Sequence, residues 1–114
     1  MYSNPQKLSS DEVLELRREG GRWLKYLRER RGLSQRQMAA LVGAEYYTFI
    51  SQIEAGRGRI PPDRYLTWAQ ALDVEPKLFV RTLLRYYDPV TYRILFVEQD
   101  LDLEAASIAP AVRS

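Results

Sequence analysis

The sequence predicts an all-α fold, and three observations carry that prediction. Apolar residues recur at intervals of three and four along most of the chain, which is the period of an amphipathic helix. Serine or proline residues that suit a helix start stand before these stretches, and glycine or proline separates one stretch from the next. With 114 residues, of which 46% are hydrophobic, the chain suffices for one compact domain plus some tail.

The first predicted helix follows a serine cap at Ser9 or Ser10. Its apolar spacing allows one helix, or two helices that meet at Gly20-Gly21, and Gly32 ends it. Trp23 and Tyr26 fall at core positions on this pattern, as Trp68 does further along the chain.

Two short helices are predicted next. In "LSQRQMAALVG", residues 33–43, Ser34 and Gln37 have the spacing of a capping box, in which each side chain bonds the other residue's backbone. Residues 46–56 are predicted to form the second of these two helices, which Gly56 ends. Two helices joined by a short glycine-containing turn make a helix-turn-helix arrangement. The predicted inward-facing residues are Met38, Leu41 and Val42 in the first helix, and Tyr46, Phe49 or Ile50, and Ile53 in the second.

Prolines mark the starts of the later helices. Pro61 and Pro62 precede a helix with Tyr65, Trp68 or Ala69, and Leu72 inward. Pro76 begins a helix that ends near residue 87. Residues 90–97 are rich in β-branched and aromatic residues, so they fit either a short helix or a strand that pairs with a second copy.

Composition excludes several classes of function. Cysteine and histidine are absent, which removes disulfides, thiolate metal sites and the commonest general base. We therefore expect no catalytic residues, no metal and no cofactor, and a protein that is not an enzyme. No apolar run is long enough for a membrane span and no secretory leader is visible, which favours a cytoplasmic protein without membrane contact.

Charge is distributed unevenly along the chain. Residues 22–64 carry nine Arg and Lys against four Asp and Glu, a net charge of +5. Residues 86–114 carry two basic against five acidic side chains, a net charge of −3. The basic middle indicates a polyanionic partner.

The motifs of residues 33–56 resemble the Xre family of transcription regulators, whose domain is five-helix and lambda-repressor-like. The resemblance covers residues 22–79. It depends on Leu33-Ser34-Gln35, Ala39, Gly43, the run "ISQIEAG" and the apolar pattern of 65–72. Twelve residues separate Gly43 from Gly56, one more than is usual in that family, so we expect a longer turn. Asp73 stands where the family commonly has glycine, and an aspartate tolerates the left-handed conformation needed there.

The resemblance implies binding to double-stranded DNA through residues 46–55 in the major groove. The implied base contacts are Tyr47, Thr48, Ser51 and Gln52, and for Tyr47 packing across the turn is an equal alternative. The side chains of these four residues are neutral hydrogen-bonding groups, which suit base edges, whereas Lys and Glu would be better helix formers on a merely solvated face. Phe49 is expected in the core, and the alternative is that its ring meets a thymine methyl group in the groove.

Phosphate contacts are expected on both sides of that helix. The resemblance implies that Gln35 contacts the DNA backbone and braces the recognition helix. Arg57 and Arg59, separated by Gly58, and Arg36 in a helix first turn are arginines placed to bind phosphate. The cluster Arg28, Arg30 and Arg31 is equally explained by Glu29 and solvent, and Glu54 is most easily explained as structural.

The resulting prediction is a sequence-specific DNA-binding transcription regulator, in its simplest form a repressor that binds DNA as a homodimer. Segment 76–97 is the expected dimer surface because it carries more apolar residues than one small domain needs, with contacts from Leu84, Tyr87, Tyr92, Ile94 and Phe96. The alternative is an antitoxin-like protein whose C-terminal segment binds a partner protein while the helix-turn-helix autoregulates. The expected organisation is an arm and helical extension at 1–21, the DNA-binding domain at 22–79, the extension at 80–97 and a disordered acidic tail at 98–114.

Overall fold

The computed structural model describes residues 8–96, and within that range the chain is helical with no strand. The elements are α1 (Ser10–Arg30), α2 (Gln35–Val42), α3 (Tyr47–Glu54), a 3-10 turn (Pro62–Arg64), α4 (Tyr65–Leu72), α5 (Pro76–Tyr87) and α6 (Pro89–Phe96). The expected disordered tail at 98–114 and the first seven residues of the expected arm lie outside the described residues.

Helix α1 runs without interruption through Gly20-Gly21. Ser9 and Glu12 form a reciprocal cap at its start: the Ser9 N–H donates to Glu12 Oε1 at 2.8 Å, and the Glu12 N–H donates to Ser9 Oγ at 3.1 Å. The two glycines serve close packing rather than a break. A Cβ on Gly21 would overlap the carbonyl oxygen of Glu54 in α3, and a Cβ on Gly20 would lie 2.8 Å from Tyr86 Cβ in α5.

The capping box predicted at the start of α2 is confirmed. The Gln37 N–H donates to Ser34 Oγ at 3.0 Å, and the Ser34 N–H donates to Gln37 Oε1 at 2.8 Å. Gly43 ends the helix in the left-handed conformation at φ +72°. Helix α3 begins at Tyr47 with Tyr46 in the capping position, so the longer turn between the two helices ends at Tyr46.

The core lies beneath α3, between α1, α4 and α5, and its largest members are Trp68 and Phe79. Its other fully buried side chains are Leu24, Met38, Val42, Ile50, Ile53, Ile60, Leu72 and Leu83.

Four residues expected to face inward are exposed, and those expectations are wrong: Tyr26, Leu41, Tyr46 and Phe49. Tyr46 precedes α3 instead of belonging to its inner face, and Ile50 occupies the inward position for which Phe49 was the other candidate. In α2 the adjacent Ala39 completes the buried stripe, which leaves Leu41 on the outer side. The short helices are exposed on more of their circumference than the apolar pattern suggested.

The structure after α4 gives the conformation of Asp73 and the secondary structure of the segment that could be helix or strand. Asp73 adopts the left-handed conformation at φ 58°, as expected. Residues 89–96 are a helix, not a strand, and Asp88 caps it by accepting hydrogen bonds from the Thr91 N–H at 3.2 Å and the Thr91 hydroxyl at 2.7 Å.

Tyr87 requires a correction, because it was expected at a dimer contact. It is only 8% exposed, and its hydroxyl accepts a hydrogen bond from the Ile60 N–H at 3.2 Å. Burial raises the pKa of its phenol above the ordinary value. Tyr87 therefore belongs to the core of a single chain.

Candidate nucleic-acid interface

Helix α3 presents a polar face to solvent. Ile50, Ile53 and Glu54 are buried on its inner side, whereas Thr48 and Gln52 are exposed on the opposite side. Residues four apart in a helix are surface neighbours, so Thr48 and Gln52 can contact the same part of a binding partner. Tyr47 is exposed and Ser51 half-buried beside them, and all four predicted base contacts therefore reach the surface of one helix.

Beneath this face, a buried ion pair joins α3 to α1. Arg28 is 7% exposed, and its Nε and Nη2 donate to Glu54 Oε2 at 2.6 Å and Oε1 at 3.0 Å. Its third group, Nη1, donates to the Leu33 carbonyl at 2.7 Å. The hydrogen bond to Glu54 raises the pKa of the Arg28 guanidinium, which stays charged. A bidentate pair with these bonds fixes both the position and the rotation of α3.

Gln35 extends the same network to the start of α2. Its side-chain N–H donates to Glu54 Oε1 at 3.0 Å, and the residue is half-buried. Its amide therefore braces α3 from the first turn of α2. The α1, α2 and α3 helices are thus tied at one carboxylate, which was not visible as a local motif because Arg28 and Glu54 are 26 residues apart.

Arg36 and Tyr47 form a second link between α2 and α3. The guanidinium carbon of Arg36 lies 4.2 Å from the centre of the Tyr47 ring, within the range of a cation–π contact. This contact places a positive charge at the N-terminal end of α3. It also shows that Tyr47 packs across the turn while part of its ring remains exposed.

Arg57 and Arg59 lie in the loop just after α3, at its other end, and both are exposed. The guanidinium carbon of Arg59 lies 4.9 Å from the centre of the Tyr87 ring. Gly56 has φ +81°, and the backbone of Arg18 in α1 passes close to it, so the loop is packed against α1 at this point. Among residues 8–96, no Asp or Glu forms an ion pair with Arg36, Arg57 or Arg59.

Residues 24–79 match the family model described as helix-turn-helix. This segment, which we call the helix-turn-helix domain, is similar to that family. Together with the helices described above, the match shows an all-α, lambda-repressor-like fold of the kind that DNA-binding regulators use. The chain matches no curated protein.

The helix-turn-helix domain contains every residue predicted to contact DNA. It also contains the Arg28–Glu54–Gln35 network, whereas residues 10–23 of α1, residues 80–87 of α5 and all of α6 lie outside the match. Arg28 is the residue that sequence reasoning missed. A signal was present, because Arg28 lies four residues after Leu24 and seven after Gly21, on the inner face of α1.

Within residues 8–96, no three His, Cys, Asp or Glu side chains come together as metal ligands. In the same range, no helix combines the length and the apolar character needed to cross a bilayer.

Proposed function

We propose that the protein is a cytoplasmic, sequence-specific DNA-binding transcription regulator, in its simplest form a repressor that inserts α3 into the major groove. The observation that carries the proposal is the neutral polar face of α3, framed at both ends by arginines that have no carboxylate partner among residues 8–96. Helix α3 has eight residues and is about 12 Å long, similar to the width of the major groove.

Sequence would be read by the exposed side chains of α3. A glutamine donates to and accepts from adenine N7 and N6 in a bidentate pair, and Gln52 is exposed at the centre of the face. Thr48 and Ser51 each offer a hydroxyl, which pairs with either donors or acceptors. Tyr47 would contact a base with the part of its ring that Arg36 leaves uncovered.

Phosphate binding would come from the two ends of α3. Arg36 and the first turn of α2, with Gln35, would bind the backbone on one side of the groove, where the free N–H groups of a helix start also favour an anion. Arg57 and Arg59 would bind it on the other side. These charged contacts supply most of the salt-dependent affinity.

We further propose a homodimer through α5 and α6, which would place two α3 helices about 34 Å apart on DNA, one helical turn. The supporting observation is apolar exposure, since Ile94 is 55% exposed and Leu84 and Phe96 line an open groove of about 640 Å³. With Tyr92 these residues are the remaining predicted dimer contacts. The same groove, flanked by Lys77 and Arg81, also supports the alternative of an antitoxin-like protein that binds a partner protein there.

A selection of bound duplexes from a random pool, followed by fluorescence-anisotropy titrations, tests DNA recognition. We expect Gln52→Ala to weaken binding to the selected operator by about 5- to 150-fold, because a bidentate base contact is lost, and to leave binding to scrambled DNA nearly unchanged. Arg57→Gln should weaken binding to both duplexes and lower the salt slope by about one.

Lys25→Gln is the matched control for the loss of one exposed charge, because Lys25 is exposed on α1, is not a proposed DNA contact and does not line the groove of α5 and α6. It should leave the salt slope of the wild-type protein intact. Wild-type protein that binds selected and scrambled duplexes equally, at every salt concentration, would contradict a sequence-specific regulator.

A further inference from the structure

Phe49 is an apolar residue on the solvent side of α3. The Phe49 side chain is 37% exposed, whereas the next residue, Ile50, is fully buried. Its ring lines a cleft of about 580 Å³ between the turn before α3 and the loop before α4, together with Tyr46 and Pro61. The folded chain therefore leaves part of a phenyl ring in water on the helix that presents the polar face.

The position of Phe49 on α3 couples it to the proposed base contacts. It follows Thr48 directly and precedes Gln52 by three residues, and side chains three apart lie next to each other on a helix. Any surface that Thr48 and Gln52 both touch therefore also approaches the exposed edge of Phe49.

The surroundings of the ring indicate which part of DNA it meets. Glu45 and Asp63 line the same cleft, and their negative charges disfavour a phosphate there. Arg64 also lines this cleft, and its Nη1 donates to the Val42 carbonyl at 2.8 Å. The exposed edge of a phenyl ring is best matched by an apolar group, and the thymine 5-methyl is the apolar group that bases present in the major groove.

We propose that Phe49 is a specificity-determining residue, whose ring packs against the 5-methyl group of a thymine beside the base read by Gln52. This inference depends on the proposed function, because it assigns a base to the same α3 face. Burying one methyl group against an apolar surface corresponds to about a fourfold gain in affinity. Specificity would then combine hydrogen bonds from Gln52 with an apolar contact from Phe49.

Deoxyuridine substitution tests the contact one methyl group at a time. The full chain first selects its operator from random duplexes, and each thymine in that operator is then replaced singly by deoxyuridine, which removes the methyl and keeps every hydrogen-bonding group. With the wild-type protein, we expect one thymine per half-site whose replacement weakens binding by about fourfold. With Phe49→Ala, the same replacement should have no effect, while the response to other base changes persists.

Two further variants distinguish the contact between Phe49 and the thymine methyl group from the general effect of removing an exposed apolar side chain. Phe49→Leu keeps an apolar side chain and should retain a reduced dependence on the methyl group. Leu66→Ala removes an apolar side chain of 55% exposure from α4 and should leave the wild-type deoxyuridine profile unchanged. Circular dichroism melting of each variant verifies that it is folded.

The outcomes distinguish this inference from the proposed function. If the wild-type protein selects no sequence, the proposed function fails. If it selects an operator but no thymine methyl affects affinity, or if Phe49→Ala responds to each deoxyuridine as the wild-type protein does, the role assigned to Phe49 is overturned and only the proposed function stands.

Discussion

Glu54 joins three helices through one carboxylate, and its substitution is the sharpest test at the scale of a residue. Glu54→Gln keeps the shape of the side chain but leaves the Arg28 guanidinium buried without a counter-charge. Removing one partner of a buried ion pair typically costs about 3–5 kcal/mol. We expect the free energy of unfolding to fall by that amount in urea titrations followed by circular dichroism.

Glu15→Gln is the control for this prediction. Glu15 contacts Arg18 at 3.6 Å and Arg22 at 3.1 Å, and all three side chains are more than half exposed. Exposed ion pairs contribute about 0–1 kcal/mol. Equal and small losses in Glu54→Gln and Glu15→Gln would show that the buried network does not hold α3 in place.

The same residues show what the sequence predicts and what it leaves out. The family pattern led us to expect a structural Glu54, and its burial confirms that expectation. Its partner was not predicted, because Arg28 is distant in the chain and stands among other arginines that solvent explains equally well. The sequence leaves Phe49 and Ile50 as alternatives for one inner position, and it favours core burial of Phe49 because apolar character predicts burial on average. The structure buries Ile50 instead.

At the scale of elements, capping residues and glycines predicted most of the helix boundaries. Local signals were insufficient at α6, because an eight-residue segment rich in β-branched and aromatic residues has no period that separates helix from strand. Asp88 as cap and Pro89 in the first turn favour the helix, and both lie just before the ambiguous stretch. The continuity of α1 was also open, because only the packing of Gly20 and Gly21 against other helices explains why glycines occur within it.

Gly21→Ala tests the packing of α1 against the end of α3. In an isolated helix alanine is favoured over glycine by about 1 kcal/mol. Here the added Cβ would overlap the backbone carbonyl of Glu54, which cannot move like a side chain, so the two helices must separate. Overpacking of this kind costs about 1–3 kcal/mol or more, and we expect a lower midpoint in thermal unfolding.

Gly32→Ala provides the comparison for backbone strain without a clash. Gly32 has φ +71°, and no atom lies within 4 Å of the position of an added Cβ. Strain alone should cost about 1–2 kcal/mol. A Gly21→Ala variant that is as stable as the wild-type protein would mean that α1 and α3 are not in backbone contact at this point.

At the scale of the whole molecule, the matched domain and the apolar C-terminal surface have separate roles in our proposal. The helix-turn-helix domain would bind one half-site, and α5 with α6 would set the distance between two of them. The sequence indicates an excess of apolar residues in this segment. The sequence does not reveal what these residues contact, because the spacing of apolar residues within one chain does not identify a contact with a second chain.

Ile94→Asp tests this division of roles. Ile94 is 55% exposed on α6, so an aspartate there remains solvated in a single chain but would be buried in a dimer, where an unpaired charge is costly. We expect sedimentation velocity to show a dimer for the wild-type protein and a monomer for the variant. Affinity for an operator with two half-sites should fall to that for one half-site, because the α3 contacts are unchanged.

Leu66→Asp is the matched control, since it introduces the same charge at 55% exposure on α4, and it should remain dimeric. A wild-type protein that sediments as a monomer, both free and on its operator, would contradict the homodimer while leaving the proposed role of α3 untouched. The exposed apolar residues of α5 and α6 would then favour the antitoxin-like alternative, because DNA binding does not explain them. A dimer that Ile94→Asp does not dissociate would instead place the interface on another surface.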